Sequence, residues 1–568
     1  MIIRYYIFFC VTFSSTLNTE AFRPVHTAFR KSPTQLQARY AVVGAGWAGW
    51  GAAKALSEAS PDNEVFLIDS LLNPTGETPY TSASNKPVEA GVRGFWYDYP
   101  NINNLVKTLN LDEKDIFTSY TNSSFFSPDG LEATAPVFQD LKLPIPEQFL
   151  PSPLPQVFAT FKLFERIPIA DRTTLVGLLL AVVDCLGSPE DSPVRSEYDK
   201  MTAATLFEKF KVSPRLVEDF IKPTLLVGLF KPPEELSALV TMELLYFYAL
   251  AHKESFDVRW IKNGTVADSL ILPMANHLLA NTNLKVMGGT RVTKITTNST
   301  RVGQITYTDS KGKEKQLKKL DGAVLALGTK GFKSVVLNSP DLLQYHEFKA
   351  PTTLDGIDVI SLRLYLNKEV KLRTPANVLS KFEALRGAGG TFFALSENQK
   401  ETEGLLWGGA KVEGSVLACD LYNSVNWMDY KDDEIVSIFM KDLLSVVLKE
   451  DFVGVELVDS WVGKYPGAVS WFSPGSYDKR PRLHGNQNIE NLKCAGDWVR
   501  MGADEHGSKG LCQERAFVSG LTAANKLIEK SGSSSDKLAE IVPVRDDELF
   551  FTKSVELNRK LKVPRFWL

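Results

Sequence analysis

The hydrophobic pattern opens on a short address-like run and then settles into alternating strands and helices. Arg4 precedes the apolar segment Tyr5-Tyr6-Ile7-Phe8-Phe9-Cys10-Val11. Ordered structure is expected from Arg39, where Tyr40-Ala41-Val42-Val43 reads as a buried strand. A glycine turn follows, then a helix built on Ala52, Ala53, Ala55 and Leu56, then a second buried strand at Glu64-Val65-Phe66-Leu67-Ile68-Asp69. Late in the chain, Leu492-Lys493-Cys494-Ala495-Gly496-Asp497 predicts a strand ending in Gly-Asp, followed by a helix over Gln513 to Leu527. Alternation predicts strands at Val359 to Tyr365 and Glu456 to Val462, and the stretch from Leu206 to Ala251 reads as helical. Two further apolar stretches, Phe158 to Phe164 and Leu175 to Val183, fit either helical core or the edge of a lipid-admitting tunnel. The second is too short to span a bilayer, so it suggests at most peripheral membrane contact.

Composition narrows the class. A chain of 568 residues exceeds one small core, so two or more domains are expected. The formal net charge of -3 gives no reason to expect a nucleic-acid partner. Five cysteines without CxxC spacing suggest neither a disulfide framework nor zinc, and no metal site is expected from the histidines. From Ala21 to Ser57 there is no acidic residue, while Arg23, Arg30, Lys31 and Arg39 are basic. Residues 1–38 therefore read as a signal followed by a transit peptide, resembling the bipartite presequence of algal plastids of red-algal origin.

The first strand and helix carry Gly44-Ala45-Gly46-Trp47-Ala48-Gly49 between them. Gly44 allows the tight turn, Gly46 lets the backbone approach a pyrophosphate, and Gly49 lets helix and strand pack closely. The helix N-terminus offers free N–H groups to the phosphates, and Asp69 offers acceptors to the ribose hydroxyls. This unit predicts a dinucleotide. The Gly496-Asp497 strand end and the helix carrying Glu514 favour FAD, because they resemble the late strand of FAD oxidoreductases that brings a carboxylate to the ribityl chain and the helix that points its start at the flavin's pyrimidine side.

Further residues carry a resemblance. Pro87-Val88-Glu89-Ala90-Gly91-Val92-Arg93-Gly94-Phe95, with Tyr99-Pro100-Asn101 after it, resembles the Glu-x-Gly segment of plant-type phytoene and zeta-carotene desaturases. Gln513-Glu514-Arg515-Ala516-Phe517-Val518-Ser519-Gly520 is similar to their closing segment, and Asp199 to Leu236 to their helical stretch. The broader clan resembles the flavin amine oxidases and includes prolycopene isomerases. The resemblance implies an α/β fold: a discontinuous Rossmann-type FAD-binding domain (residues 39–85, 265–329 and 485–530) with an inserted α+β substrate domain (86–264 and 330–484). It also implies that Val292 presents its backbone near the adenine. Residues 531–568 form a C-terminal extension with no assigned role. The chain departs from the pattern at three places. Asn73 to Thr78 replaces a Gly-Gly-Arg turn, Arg93 replaces a histidine, and Arg515 replaces a glycine.

What the resemblance implies chemically is hydrogen removal from a polyene by FAD, with a quinone or oxygen as electron acceptor and an apolar substrate such as a carotenoid. No catalytic residue stands out, and no Ser/His/Asp or Cys/His set is apparent. His506, within the charged insert Met501 to Gly510, is a candidate acid or base, although a solvated loop is the simpler reading. Alternatives are a carotenoid isomerase or hydratase using non-redox flavin, and a flavin amine oxidase. Amine oxidases place an aromatic ring two residues before the closing glutamate, where this chain has Cys512. A flavin-bearing carrier is the non-enzymatic alternative.

Overall fold

The computed structural model describes residues 38–75, 80–140, 163–164, 166–190, 192–530, 538–561 and 565–568. The expected presequence up to residue 37, Phe158 and Phe161, and the Gly76 to Thr78 part of the replaced turn lie outside the described residues.

In chain order, β1 (Arg39–Val43), α1 (Trp47–Ala59) and β2 (Glu64–Ile68) form the opening unit. After α2 (Pro100–Thr108) come β3 (Ser123–Ser127) and β4 (Gly130–Ala135). A helical region holds α3 (Leu178–Leu186), α4 (Pro193–Lys200) and α5 (Ala238–Leu245). The chain then forms β5 (Leu284–Met287), β6 (Arg291–Asn298), β7 (Arg301–Thr308), β8 (Glu314–Lys318) and β9 (Gly322–Leu325). Next come β10 (Gly356–Leu366), β11 (Ala376–Leu379), β12 (Gly389–Ala394), β13 (Val416–Tyr422) and β14 (Leu457–Ser470). Last are β15 (Leu492–Cys494), α6 (Gln513–Lys530) and α7 (Leu549–Leu561).

Two large sheets organise these elements. The first has five strands in the order β15-β9-β1-β2-β5, and every neighbouring pair is parallel. A parallel sheet is buried on both faces, which explains why its strands are continuous apolar runs rather than alternating ones. Val42, Val65, Leu67, Ala323 and Val324 are all fully buried. The strand order reverses between β1 and β9, and ligands of such folds bind outside the strand ends at this point. All five strands come from the segments 39–85, 265–329 and 485–530, so the chain leaves this sheet twice and returns.

The excursions build the second sheet, of seven strands in the order β14-β10-β13-β12-β11-β3-β4. Its pairs are antiparallel except β11 with β3. Along β10, Ile360, Leu362, Leu364 and Leu366 enter one apolar core. Their alternates Ser361, Arg363 and Tyr365 point to the other face. The mixed α/β architecture, a Rossmann-type sheet with an inserted α+β region, is as the resemblance leads one to expect.

The apolar run at 175–183 becomes a single helical turn leading into α3. Leu178, Ala181 and Val182 are buried, while Val176 and Leu180 are exposed. No helix among the described residues is long and apolar enough to cross a membrane.

Candidate functional site

The β1–α1 turn has the geometry a dinucleotide requires. Gly44 sits at φ +100°, where a side chain is strained, and a Cβ there would stand 2.2 Å from the Ala326 carbonyl. A Cβ on Gly49 would stand 1.8 Å from the Gly44 carbonyl, so helix and turn touch through bare backbone. Gly46 differs: nothing lies within 4 Å of its Cβ position, and it caps α1 without any side-chain hydrogen bond. The N–H groups of Trp47, Ala48 and Gly49 thus open onto a cradle at the positive end of a helix of 13 residues. Ala45 donates its N–H to Asp69 Oδ2 at 2.7 Å, and Leu71 donates to Asp69 Oδ1 at 2.7 Å. Each carboxylate oxygen keeps a lone pair for a ribose hydroxyl. Thr290 donates its N–H to the Asp69 carbonyl, and two residues on, Val292 is buried at the start of β6. The residues expected at the adenine side are therefore gathered beyond the ends of neighbouring strands, β2 and β5.

Gly496 and Asp497, expected at the far end of the cofactor, follow β15. Gly496, at φ +147°, donates its N–H to Ser519 Oγ of α6 at 2.8 Å. Burial pushes the Asp497 carboxyl up to about 6, against the pull of the Arg515 guanidinium. Arg515, which stands in place of a glycine, does not turn its charge loose in the site. Its guanidinium donates to the carbonyls of Asp497, Val499 and Ser508 at 2.9 Å each and pairs with Glu505. That network pins the Gly-Asp turn to the 501–510 loop. The loop is accordingly tied down but partly exposed: Ser508 and Gly510 are buried, Ala503 is exposed, and its charged residues are half-buried. His506 is packed against Asn101 and the Val542 carbonyl, and burial holds its pKa below the usual imidazole value. It tethers the C-terminal extension.

Glu514 is fully buried, and three donors at the start of α2 meet its carboxyl. Oε1 accepts from the Asn101 N–H and side-chain amide at 2.8 and 2.7 Å, and Oε2 accepts from the Ile102 N–H at 3.0 Å. The carboxyl thus holds the first turn of α2, 413 positions away in sequence. Burial raises it to about 7 despite these donors. The structure gives it the anchoring of the Tyr99-Pro100-Asn101 segment.

The Glu-x-Gly segment is clamped by the polar face of β10. Ser361 Oγ accepts from the Gly91 N–H at 2.7 Å, Arg363 Nη2 donates to the Glu89 carbonyl at 2.7 Å, and Tyr365 Oη donates to the Pro87 carbonyl at 3.4 Å. Alternate residues of one strand thereby hold alternate residues of another segment, as period-two geometry allows. The Glu89 carboxylate accepts from the Val266 N–H at 3.2 Å, at the head of the helical stretch leading into β5. Burial raises its pKa, with Arg93 and Arg363 opposing. Beside this segment lies a cavity of about 340 Å³, lined by Glu89, Arg93 and Arg363 and by apolar residues including Val92, Trp260 and Ile261. Arg363 was not singled out by sequence. Its signal is a charge on the polar register of an otherwise apolar strand.

The residues present fit FAD. The open cradle at Gly46, the acceptors of Asp69 and the Asp497 residue follow β1, β2 and β15, so all three lie beyond the same ends of the parallel strands, where the strand order switches. When bound, FAD supplies the electron-accepting ring, and the chain supplies position and polarity.

Comparisons with known proteins agree with this geometry. The family model described as flavin containing amine oxidoreductase matches residues 77–528, and that of an NAD(P)-binding Rossmann-like domain matches residues 42–109. No curated protein matches the chain in sequence. Among solved structures, cyclohexylamine oxidase from Brevibacterium oxydans IH-35A is similar, with TM-score 0.58 and 14% identity over 87% of this chain and 100% of that one. Wild-type putrescine oxidase bound to putrescine has TM-score 0.57 and 14% identity over 87% and 99% of the two chains. An oxidoreductase from Methanosarcina mazei has TM-score 0.55 and 15% identity over 85% and 99%. At such identity these structures speak for the fold, while the family match spans most of the chain. The protein is an FAD-dependent oxidoreductase belonging to the flavin containing amine oxidoreductase family.

Proposed function

We propose that the protein is a desaturase-type enzyme that removes hydrogen from a long apolar substrate of the carotenoid class, in a plastid. The observation that carries this reading is Cys512. At the position where amine oxidases offer an aromatic ring, this chain has a buried thiol, pushed up to about 11 by burial. A neutral thiol has no π face on which to hold an amine. Tyr99 and Tyr248 stand beside it, their hydroxyls 3.2 Å apart.

The cavity supports the same reading. Its lining is largely apolar, and no described histidine contributes to it. Desaturation asks mainly that a substrate be oriented and water excluded, so little acid–base machinery is needed. A volume of about 340 Å³ is near the small end of ligand pockets, so the cavity takes one end of a long chain. Peripheral membrane contact is part of the proposal. Ile169, Val176 and Leu180 are exposed near α3, and Leu549, Phe550, Leu557 and Leu561 are exposed on α7, with Lys553 and Lys560 on the same helix. The plastid address rests on the presequence.

The test is incubation of the purified holoenzyme with phytoene, zeta-carotene or cis-lycopene, lipid, and a quinone or oxygen. A red-shifted product lighter by two hydrogens is expected from one of them. Unchanged mass would assign isomerisation, and a gain of water hydration. Peroxide formed on adding cyclic or aliphatic amines would assign amine oxidation instead. No change with any pigment would overturn the substrate class and leave the flavoprotein standing.

A further inference from the structure

The turn between β6 and β7 carries a chemical pattern that the proposed oxidation does not use. Asn298-Ser299-Thr300 is an Asn-x-Thr acceptor for N-linked sugar, with no proline in the middle place. Asn298 pairs with Arg301, so Ser299 and Thr300 are the two-residue loop of a hairpin, and Ser299 sits at φ +56°. All three residues of the pattern are exposed. The Thr300 carbonyl accepts from the Glu490 N–H at 3.0 Å, which holds the backbone of the turn. The Asn298 side chain makes no hydrogen bond among the described residues. It lies over Gly303, where a Cβ would stand 2.8 Å from Nδ2.

The pattern occurs twice more, and there the fold works against it. An attached sugar is bulky and hydrated, so it needs an asparagine at the surface with room around it. In Asn122-Ser123-Ser124, Asn122 Oδ1 accepts from the Val137 N–H at 2.9 Å, and Ser124 is fully buried within β3. In Asn263-Gly264-Thr265, the Asn263 amide donates to the Asp115 carbonyl at 2.7 Å, and Gly264 and Thr265 line the cavity beside Glu89. Asn298 has neither tie. Val292, the residue expected at the adenine, is six positions back along β6, about 20 Å at the rise of a strand. A sugar on the turn therefore leaves the cofactor side clear.

We infer that Asn298 is an N-glycosylation site, which takes an oligosaccharide in the lumen of the secretory pathway. In the transfer, Nδ2 bonds to the first sugar carbon of a lipid-linked donor and the sugar–pyrophosphate bond breaks. The lipid pyrophosphate leaves, and one amide proton is lost. The inference rests on the reading of residues 1–38 as a signal followed by a transit peptide, which takes the chain through that lumen on the way to a plastid. It does not depend on the substrate.

The experiment expresses the full chain in an alga with plastids of red-algal origin, purifies it with FAD bound and treats it with peptide N-glycosidase. The protein is expected to drop by one electrophoretic step, and the peptide holding position 298 to change from amide to acid by mass. Asn298→Gln and Thr300→Ala are expected to abolish the step with FAD content unchanged, while Thr300→Ser keeps it. A second form carries a foreign secretory signal in place of residues 1–20. A step in that form alone overturns the address, and the native modification with it. No step in either form, with the foreign signal cleaved in the lumen, overturns the inference alone. The address is then read from whether the native form reaches the plastid. A step that survives Asn298→Gln places the sugar on Asn122 or Asn263 and overturns the inference as well. If Asn298→Gln does not fold, Thr300→Ala and the peptide mass decide.

Discussion

At the scale of single residues, the carboxyls of Asp497 and Glu514 divide the work. Asp497 is the carboxyl expected to meet the cofactor, while Arg515 holds the same turn through the Asp497 backbone carbonyl. Removing the side chain therefore leaves the pin in place. Asp497→Ala is expected to weaken FAD binding by about 10–100-fold, the worth of one charged hydrogen bond, with the fold intact. Titration of apoprotein with FAD checks this, and unchanged affinity would remove Asp497 from the site. Glu514 makes a prediction about pH. Its carboxyl is raised to about 7 in the folded chain, above the ordinary 4.5, so the native state holds this proton more tightly than the unfolded chain. The stability it contributes is complete below pH 4.5 and is lost as pH rises through 7. The loss amounts to about 3 kcal/mol at the usual value of about 1.4 kcal/mol per pH unit. Glu514→Gln keeps an acceptor toward Asn101 and cannot ionise. Its Tm relative to wild type is therefore expected to climb between pH 5 and pH 8, and parallel curves would refute the assignment.

At the scale of elements, glycines set how closely the nucleotide unit closes. α1 and α6 cross where a Cβ on Gly520 would stand 2.0 Å from the Ala48 carbonyl and one on Gly51 would stand 2.4 Å from that of Phe517. Gly520→Ala is expected to force the helices apart, cost about 1–3 kcal/mol and lower Tm. Gly46→Ala is expected to leave Tm nearly unchanged, because its Cβ meets open space, yet to lose FAD because that space is the pyrophosphate cradle. Finding the two variants equally unstable would contradict this division. The contrast also marks how much was legible in sequence. The strand, turn, helix, strand and acid of residues 39–69 are contiguous, so spacing alone predicts them, and Gly496-Asp497 is a similarly short signal. The reason for Gly520 is tertiary, since only the crossing with α1 forbids a side chain. Likewise, nothing near Glu514 in sequence announces α2, and nothing near Ser361, Arg363 and Tyr365 announces the segment they clamp. The charged loop 501–510 looked solvated because its ion-pair partner Arg515 lies on a different element.

At the scale of the whole molecule, the C-terminal extension has a structural role that sequence did not suggest. Ala539 and the Asn525 side chain of α6 exchange two hydrogen bonds. Val542 exchanges two more with the Asn101 side chain and takes a third from His506. Arg545 pairs with Asp98 and Glu254, and Phe551 packs on Tyr246 at 4.5 Å between ring centres. The chain ends with Trp567 fully buried, its indole N–H on Tyr198 Oη, while Arg565 pairs with Asp184. One strap thus joins the closing helix of the cofactor region, the segment that Glu514 anchors, and the helical region around α3 and α4. Its last anchor is large and apolar, whereas α7 has no fully buried side chain of its own. The hold on α7 should therefore depend on Trp567. Trp567→Ala is expected to cost about 3–5 kcal/mol locally, as loss of a buried indole does. Hydrogen exchange should then accelerate across 549–561 and leave the parallel sheet protected, because Trp567 is bonded to Tyr198 of α4 and the strands of the sheet pair only with one another, although they share one apolar cluster with the indole. FAD absorbance should persist at low temperature, since the contacts at Ala539 and Val542 precede α7. If α7 stays protected without the indole, the ion pair of Arg565 with Asp184 and the packing of Phe551 must carry the helix. If protection in the sheet falls as well, the strap supports the cofactor region directly and not only the helical region beside it.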